Sequence, residues 1–328
     1  MMEYIVGAYA TAPSAEGWEP ELESLYYQHL KSEDNIIGIE HPFVGKLHPY
    51  DDEWFLSNVS KDWQFVFTSI PGVMGQLANN PHFGIASTNE AGRQAALVFY
   101  QQAQQAIMTL NNHLGREAVS FLKIHTAPKI SKNSTSSIAA LQSSLETMLS
   151  WDWHGAKLVI EHCDAYIEGQ DAEKGFMRLE DEISAAQYVN NKLQSDLGIS
   201  INWGRSAIEA RSTNGPLQHI ELAKQSGLLK GIIFSGASDI EGPYGKWKDT
   251  HMPPAKALYI PSYAQGSLLT FKEIENSIQA CQPQSLSFIG GKISLQPNRA
   301  DVEQRVSYIK SLLTLLDHAL EPNETSVS

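Results

Sequence analysis

Three short segments end in ionisable side chains whose types suit acid–base chemistry. Glu161 closes the β-rich run in LVIEHCDAY, Lys123 and His125 lie near the end of AVSFLKIHT, and Glu40 follows the apolar run in GIEHPF. Because side chains alternate along a strand, the intervening apolar residues occupy one face and these four share the other. A carboxylate beside a lysine and an imidazole can transfer a proton and polarise a carbonyl. An ion pair such as Lys123–Glu161 that only satisfies buried charge is the alternative.

Polar residues also close the sixth and eighth predicted strands. In INWGRSAIEAR, alternation directs Asn202 to the inner face, and Arg205 lies in the turn above it. A guanidinium can bind a carboxylate or phosphate through two parallel hydrogen bonds, although a salt bridge to Glu209 would also satisfy it. In FIGGKIS, Lys292 follows two glycines that allow a ligand to approach the backbone closely, so we predict that Lys292 binds an anion.

Two connections that follow predicted strands are unusually long, at 71–88 and 236–267. Loops of this length often act as lids or as walls of a binding site. The second loop carries Trp247 and His251 among glycines and prolines. Since the C–H faces of sugar rings pack on aromatic side chains, we predict that this loop contacts a carbohydrate-like substrate.

These residues need a scaffold that brings the ends of several strands together. The strand candidates cover 4–10, 35–41, 63–70, 118–126, 156–163, 198–204, 229–236 and 285–291. The helix candidates begin at Pro20, cover 89–112, 137–149 and 175–195, run from Pro216 to Gly227, begin again at Thr270, and cover 301–319. Eight alternating units predict one (β/α)8 barrel, a TIM barrel, over 1–320, with a disordered tail at 321–328. The segment GAYATAPSAEG lacks the GxGxxG spacing of an open dinucleotide-binding sheet.

The composition limits the partners that the protein can have. A formal net charge of −13 argues against a nucleic-acid surface and against docking to anionic membranes. No apolar run approaches the roughly 18 residues that a membrane-spanning helix needs. The two cysteines, Cys163 and Cys281, have no metal-binding or redox spacing, so we expect reduced thiols in a cytoplasmic protein.

With these elements in place, the chain resembles the sugar isomerase/epimerase barrels related to xylose isomerase and to the endonuclease IV-type fold. The segments GIEHPF (38–43) and KLVIEHCDAY (157–166), each with an acidic residue at the end of a strand, carry this resemblance. More closely, LVIEHCDA together with GPYGKWKDTHMPP resembles a bacterial family of uncharacterised proteins assigned to that superfamily. The resemblance covers nearly the whole chain and implies a xylose isomerase-like barrel.

The resemblance also implies a divalent metal, but this chain departs from the ligand pattern. In members that act on sugars, an acidic residue of strand five, an Asp and a His near strand six, a His near strand seven and a Glu of strand eight hold the metal. Glu161 matches the first position, whereas Asn202, Ser235 and Lys292 stand where other ligands are expected. Such groups make a poor site for a hard cation. If a metal is bound, the candidate ligands are Glu161, His125, Glu40 and His251.

We therefore predict an enzyme that isomerises or epimerises a small sugar or sugar acid by proton transfer next to a carbonyl. Glu161 would be the base, and His125 or Lys123 would be the acid or would polarise the carbonyl. The predicted substrate-binding residues are Glu40, Asn202, Arg205, Trp247, His251 and Lys292. Two alternatives remain: a glycoside hydrolase or lyase with a carboxylate pair such as Glu40 and Glu161, and a non-catalytic carbohydrate-binding barrel without its metal site.

Overall fold

The computed structural model describes residues 3–14 and 17–321. Eight parallel strands pair with their neighbours in chain order, and the last pairs with the first to close a barrel. The strands are β1 (Tyr4–Val6), β2 (Ile36–Pro42), β3 (Gln64–Thr68), β4 (Val119–Ile124), β5 (Lys157–His162), β6 (Gly198–Asn202), β7 (Leu229–Phe234) and β8 (Phe288–Gly291). All eight predicted strands are present, and the predicted TIM barrel is confirmed.

Helices surround the barrel and connect its strands. They are α1 (Ala8–Thr11), α2 (Pro20–Lys31), α3 (Asp52–Asn58), α4 (Ile70–Asn79), α5 (Glu90–Leu114), α6 (Ile138–Leu149), α7 (Leu179–Leu193), α8 (Trp203–Ala210), α9 (Asn214–Gln225), α10 (Phe271–Cys281) and α11 (Val302–Leu320). Side chains at the helix ends explain several boundaries. Thr270 accepts a hydrogen bond from the backbone of Glu273 and caps α10, as its spacing predicts. Asp301 and Gln304 form a capping box at the start of α11.

The barrel interior is apolar towards the amino ends of its strands and polar towards their carboxyl ends. One interior cluster of apolar side chains fills the amino end; it consists of Ile5, Val66, Phe121, Val159, Ile233 and Phe288. Two residues further along β4 and β5, the inward positions hold Lys123 and Glu161. Burying ionisable groups on top of an apolar plug is costly unless they pair with one another. The strand alternation therefore concentrates buried charge at one end of the barrel.

Four local features differ from the sequence-based prediction. The connection predicted as a loop at 71–88 is helical in its first half, because α4 starts at Ile70 with Pro71 in its first turn, where proline fits a helix. In β2, Ile37 packs against the interior cluster instead of the helices, since the β1–β2 pairing shifts register there. The first strand ends at Val6 because α1 follows at once, and the short helices α1, α3 and α8 are absent from the sequence-based prediction.

The predicted tail at 321–328 lies, except for Glu321, outside the described residues. Among the described helices, none is both long enough and apolar enough to cross a membrane.

Candidate functional site

Two carboxylates share one lysine at the carboxyl ends of the strands. The ammonium of Lys123 donates to Glu40 Oε2 and lies 2.9 Å from Glu161 Oε1. On its other side, Glu40 accepts a hydrogen bond of 2.7 Å from Lys292. The side chains of all four residues have no exposed surface. Residues from β2, β4 and β5 and from the end of β8 thus form one buried row of alternating charge.

Arg205, from the first turn of α8, extends this row. Its guanidinium donates to Glu161 Oε2 at 2.6 Å and to Asp249 Oδ2 at 3.0 Å. Asp249 belongs to the long loop after β7, and it also pairs with Lys174 at 3.0 Å. A salt bridge from Arg205 to Glu209 was one alternative in the sequence analysis, but in the structure Arg205 pairs with Glu161 instead.

Both carboxylates at the centre of the row are held in their charged forms. Burial alone would raise the pKa of Glu161, but Lys123 and Arg205 outweigh burial and hold that pKa well below its ordinary value. For Glu40, burial likewise opposes ionisation, and Lys123 and Lys292 lower the pKa below its ordinary value. The row is therefore a set of true ion pairs, in which the loss of one member leaves a buried charge without its partner.

His125 completes the surroundings of Glu161. Its Nε2 lies 2.8 Å from Glu161 Oε2, and its Nδ1 lies 2.9 Å from the hydroxyl of Ser69, which also contacts Tyr100. Burial lowers the pKa of His125 to about 4, although Glu161 opposes the shift, so the imidazole is neutral at pH 7. A carboxylate only accepts hydrogen bonds, so Nε2 carries the proton of this neutral ring.

Several buried polar atoms near this row have no hydrogen-bond partner among the described residues. They are Thr68 Oγ1, Ser200 Oγ and Asn202 Nδ2. Thr68 pairs in register with Lys123, and Ser200 with Glu161, so both lie at the level of the ion pairs. An unpaired buried polar group costs about 1–3 kcal/mol, so such groups mark the places where a polar ligand would be stabilised.

The loop 236–267 closes the barrel over the row. At its base, Gly236 and Met252 exchange two backbone hydrogen bonds of 2.7 and 3.1 Å. Further along, the loop brings Asp249 and His251 towards the row. His251 Nδ1 lies 3.3 Å from Asp249 Oδ1, but the geometry of this contact is not that of a hydrogen bond. Trp247, in contrast, packs against the guanidinium of Arg211 at 5.5 Å. The structure thus brings His251 to the row but does not bring Trp247 there.

An aromatic cavity of about 190 Å³ lies beside the covered row, between the segments that follow β1 and β2. Its walls include Trp18 and Tyr50, which stack in parallel at 5.2 Å, and the carboxyl group of Glu23, which accepts a 2.7 Å hydrogen bond from the Trp18 indole. Burial raises the pKa of Glu23 to about 7. Tyr9 also lines the cavity, and its hydroxyl lies 3.3 Å from Lys292. The side chain of Tyr9 therefore separates the cavity from the row.

A second polar cluster lies on the outer side of β5, where alternation directs His162. Its Nδ1 is 2.8 Å from Glu182 of α7, and its Nε2 is 3.0 Å from Glu209 of α8. His219 of α9 lies 3.5 Å from the other oxygen of Glu209. Burial disfavours a charged His162, but the two carboxylates outweigh it and raise its pKa to about 10.

The residues around Glu161 do not fit the divalent metal that the resemblance to sugar isomerases implies. His125, Glu161 and Cys163 have ligand atoms close together, but Arg205 donates to both Glu161 and, at 3.4 Å, the sulfur of Cys163. A fixed guanidinium among the ligand atoms repels a cation. The other predicted ligand set fails for the same reason, because the ammonium of Lys123 lies between Glu40 and Glu161.

The structure brings most of the predicted site residues together. Ion pairs or hydrogen bonds join Lys123, His125, Glu161, Glu40, Arg205 and Lys292 into one group. Asn202 lies beside it and caps α8 through a 3.2 Å hydrogen bond to the Arg205 backbone. Sequence reasoning missed Asp249 and Lys174, which lie in irregular loops where no periodicity indicates their direction. The only signal for Asp249 was its position in the long loop.

The fold and the end of the barrel at which the polar residues gather define a xylose isomerase-like TIM barrel. Similar solved structures include a D-psicose 3-epimerase (TM-score 0.55, 10% identity, 97% of this chain and 98% of that one). Two others are a xylose isomerase domain protein of Planctomyces limnophilus (0.53, 10%, 97% and 96%) and a sugar phosphate isomerase/epimerase of Parabacteroides distasonis (0.53, 9%, 95% and 96%). At these identities the similarity establishes the fold alone.

Residues 5–308 match the family described as "Domain of unknown function (DUF4862)", and the chain belongs to this family. A relative in Salmonella typhimurium, described as "Uncharacterized protein STM3670", is 35% identical over 319 residues. The match covers 96% of this chain and 97% of the relative.

Proposed function

We propose that this protein is an enzyme that transfers a proton next to the carbonyl group of a small sugar or sugar acid, giving isomerisation or epimerisation. The observation that carries the proposal is the set of unpaired hydroxyl and amide groups beside Glu161. The buried atoms Thr68 Oγ1, Ser200 Oγ and Asn202 Nδ2 have no hydrogen-bond partner among the described residues. A hydroxyl-rich ligand would satisfy these groups. The fold of the sugar epimerase relatives supports the same class of substrate.

In this mechanism Glu161, Lys123 and His125 have separate roles. Glu161 accepts the proton from the carbon next to the carbonyl, and the electron pair moves to the carbonyl oxygen. Lys123 stabilises the resulting oxyanion, as a fixed cation in a water-excluded site does effectively. His125 holds Glu161 in position through its Nε2 proton. In an isomerisation, the proton returns to the former carbonyl carbon while the proton of the neighbouring hydroxyl moves to the oxyanion. In an epimerisation, a solvent proton adds to the other face of the same carbon, and Glu161 releases its proton to solvent. Neither reaction needs an external oxidant.

The remaining cations suit an anionic group on the substrate. Arg205 and Lys292 lie at opposite ends of the Glu40–Lys123–Glu161 row, and a carboxylate or phosphate would take over part of their pairing. Because the row has no exposed surface, substrate access requires displacement of the loop 236–267, which carries His251. The aromatic cavity beside Lys292 would receive the rest of the sugar.

One specific observation favours a second candidate, a carbohydrate-binding barrel without catalysis. Both oxygens of Glu161 are already engaged, by Lys123 on one side and by His125 and Arg205 on the other. A glycoside hydrolase or lyase that uses Glu40 and Glu161 is less well supported. Such a pair needs one protonated carboxyl group as an acid, and here both carboxylates pair with lysine ammonium groups.

Exchange of substrate hydrogen for solvent deuterium tests the proposal even when the product is unidentified. A panel of aldoses, ketoses, their phosphates and sugar acids is incubated with the protein in D₂O, and NMR detects loss of a C–H signal. We expect exchange in at least one compound with the wild type and its loss in Glu161→Gln. Glu168→Gln, which changes an exposed carboxylate further along the same connection, is the matched control.

Each outcome decides between the candidates. Binding of a panel compound without exchange, retained in Glu161→Gln, would support the non-catalytic barrel and overturn the proposed enzyme. Exchange that survives in Glu161→Gln would exclude Glu161 as the base. Release of a free sugar from a glycoside would favour the hydrolase.

We also propose that the protein works in a reducing, cytoplasmic compartment. Both cysteines are buried as free thiols, and burial raises the pKa of Cys281 to about 12, so neither is an accessible thiolate.

A further inference from the structure

Three metal-ligating side chains converge on the outer side of the barrel, away from the interior row. His162 at the end of β5, Glu209 in α8 and His219 in α9 each offer one ligand atom, and these atoms lie within 4.8 Å of one another. Glu209 lies centrally, with one oxygen 3.0 Å from His162 Nε2 and the other 3.5 Å from His219 Nε2. Ligand atoms of a tetrahedral zinc ion lie on the order of 3.4 Å apart, so only small shifts separate this arrangement from coordination.

The remaining nitrogen of each imidazole is held by a second residue. His162 Nδ1 lies 2.8 Å from Glu182, which itself accepts a 2.6 Å hydrogen bond from Thr126. His219 Nδ1 lies 2.9 Å from the hydroxyl of Ser206. Metal-binding histidines almost always have such a carboxylate or hydroxyl partner, because it fixes the ring and directs the free nitrogen to the metal. A pair of histidines held only for packing does not need both partners.

The cluster is partly accessible and contains neither arginine nor lysine. The side chains of Glu209 and His219 are 13% and 14% exposed, while that of His162 is buried. Neither arginine nor lysine is within salt-bridge distance of Glu209 among the described residues. This differs from the cluster at Glu161, where Arg205 donates to the same carboxylate.

We propose that His162, Glu209 and His219 form a zinc site on the outside of the barrel. Two imidazoles and one carboxylate are a donor set that zinc prefers over calcium or magnesium, and solvent supplies the open position. The metal replaces the hydrogen bond between His162 and Glu209. It links the end of β5, which carries Glu161 on its inner side, to α8, which carries Arg205, and to α9. The inference is independent of the proposed catalytic function.

Zinc titration of the whole chain tests this site. Tag-free protein, stripped with a chelator and dialysed, is titrated against a chromophoric zinc indicator, and bound metal is counted by mass spectrometry. We expect one zinc per chain for the wild type, and affinity weakened by more than about 10-fold in His219→Ala. His113→Ala, which removes an exposed histidine from α5, should bind zinc as the wild type does.

Two further measurements keep the test decisive if His219→Ala folds poorly. Ser206→Ala leaves all three ligands in place and should weaken zinc binding by about 10-fold, since it removes only the partner of His219. Cobalt substitution of the wild type should give a tetrahedral d–d spectrum without a sulfur-to-cobalt charge-transfer band. Such a band would place the metal at Cys163 and overturn the proposal. Failure of the wild type to bind zinc, or unchanged affinity in both variants, would overturn the proposal and show that the cluster consists only of ion pairs.

Discussion

The ammonium of Lys123 lies between Glu40 and Glu161, where no side-chain atom of the three is exposed. Its removal leaves two buried carboxylates with one cation fewer, and an uncompensated buried charge of this kind costs about 3–5 kcal/mol. We therefore expect Lys123→Met to lower the free energy of unfolding in urea by that amount. Lys157→Met, which breaks an ion pair more than half exposed, is the control and should cost less than about 1 kcal/mol. Equal losses in the two variants would show that the row contributes nothing beyond surface pairing.

Neutralising Glu23 should stabilise the protein, because burial raises the pKa of this carboxyl group from 4.5 to about 7. The folded state then binds a proton that the unfolded chain releases, so this residue costs stability as the pH rises from about 4.5 to 7. Glu23→Gln should therefore stabilise the protein by about 3 kcal/mol at pH 8 and by less than about 1 kcal/mol at pH 5. Urea unfolding at both pH values measures the difference. Glu21→Gln, at an exposed position of the same helix, is the control, and a gain independent of pH would contradict the expectation.

Strand alternation was sufficient to predict the inner residues of the site. Lys123, His125 and Glu161 occupy inward positions because the apolar residues between them must pack under the helices. Alternation could not predict the ion pair between Glu161 and Arg205, or the one between Arg205 and Asp249. Its partner Arg205 lies in a helix that begins directly after β6, and Asp249 lies in a loop. The directions of such side chains depend on tertiary packing, and tertiary packing produces no periodic pattern in the sequence.

The loop 236–267 should depend on the close contact at its base. A Cβ atom on Gly236 would lie 2.5 Å from the carbonyl oxygen of Met252, so Gly236→Ala must separate the two backbones that hold the loop. We expect faster hydrogen exchange across the loop and an overpacking cost of about 1–3 kcal/mol, with exchange in the strands unchanged. Gly242→Ala, where a Cβ atom meets nothing within 4 Å, is the control. Equal exchange in the two variants would show that the loop is held elsewhere.

The regular elements were predictable to different degrees. Strands and long helices carry strong periodicity and clear caps, such as Thr270, and their positions agree with the sequence-based prediction. The helix at Ile70–Asn79 falls in a predicted loop because it contains Pro71 and two glycines, which usually interrupt helices. Proline in the first turn costs little, and packing of Ile70 and Val73 against the core compensates for the glycines. Tertiary burial thus outweighed local propensity.

Across the whole molecule, buried neutral histidines should make the protein sensitive to mild acid. Burial lowers the pKa of His41 and His251 to about 3, and that of His48, His125 and His219 to about 4, from 6.5. Below pH 6.5 the unfolded chain binds protons at these five sites and the folded protein does not. Each site then removes about 1.4 kcal/mol of stability per pH unit until its folded pKa is reached. The free energy of unfolding should therefore fall steeply between pH 6.5 and 5.

Four buried groups with raised pKa values oppose this trend but do not cancel it; they are Glu23, Asp164, Glu182 and His162. Glu23 and Asp164, with pKa values raised by burial to about 7 and about 6, bind protons in the folded state over the same interval. Five histidines against these four groups leave a net uptake of protons on unfolding, so stability still falls as the pH falls. Urea unfolding at half-unit steps from pH 8 to 5 gives the number of protons from the slope. His48→Gln should reduce that number near pH 6 by about three-quarters of a proton, because the unfolded histidine is about three-quarters protonated there. A slope of zero in the wild type would mean that these histidines are already protonated in the folded protein.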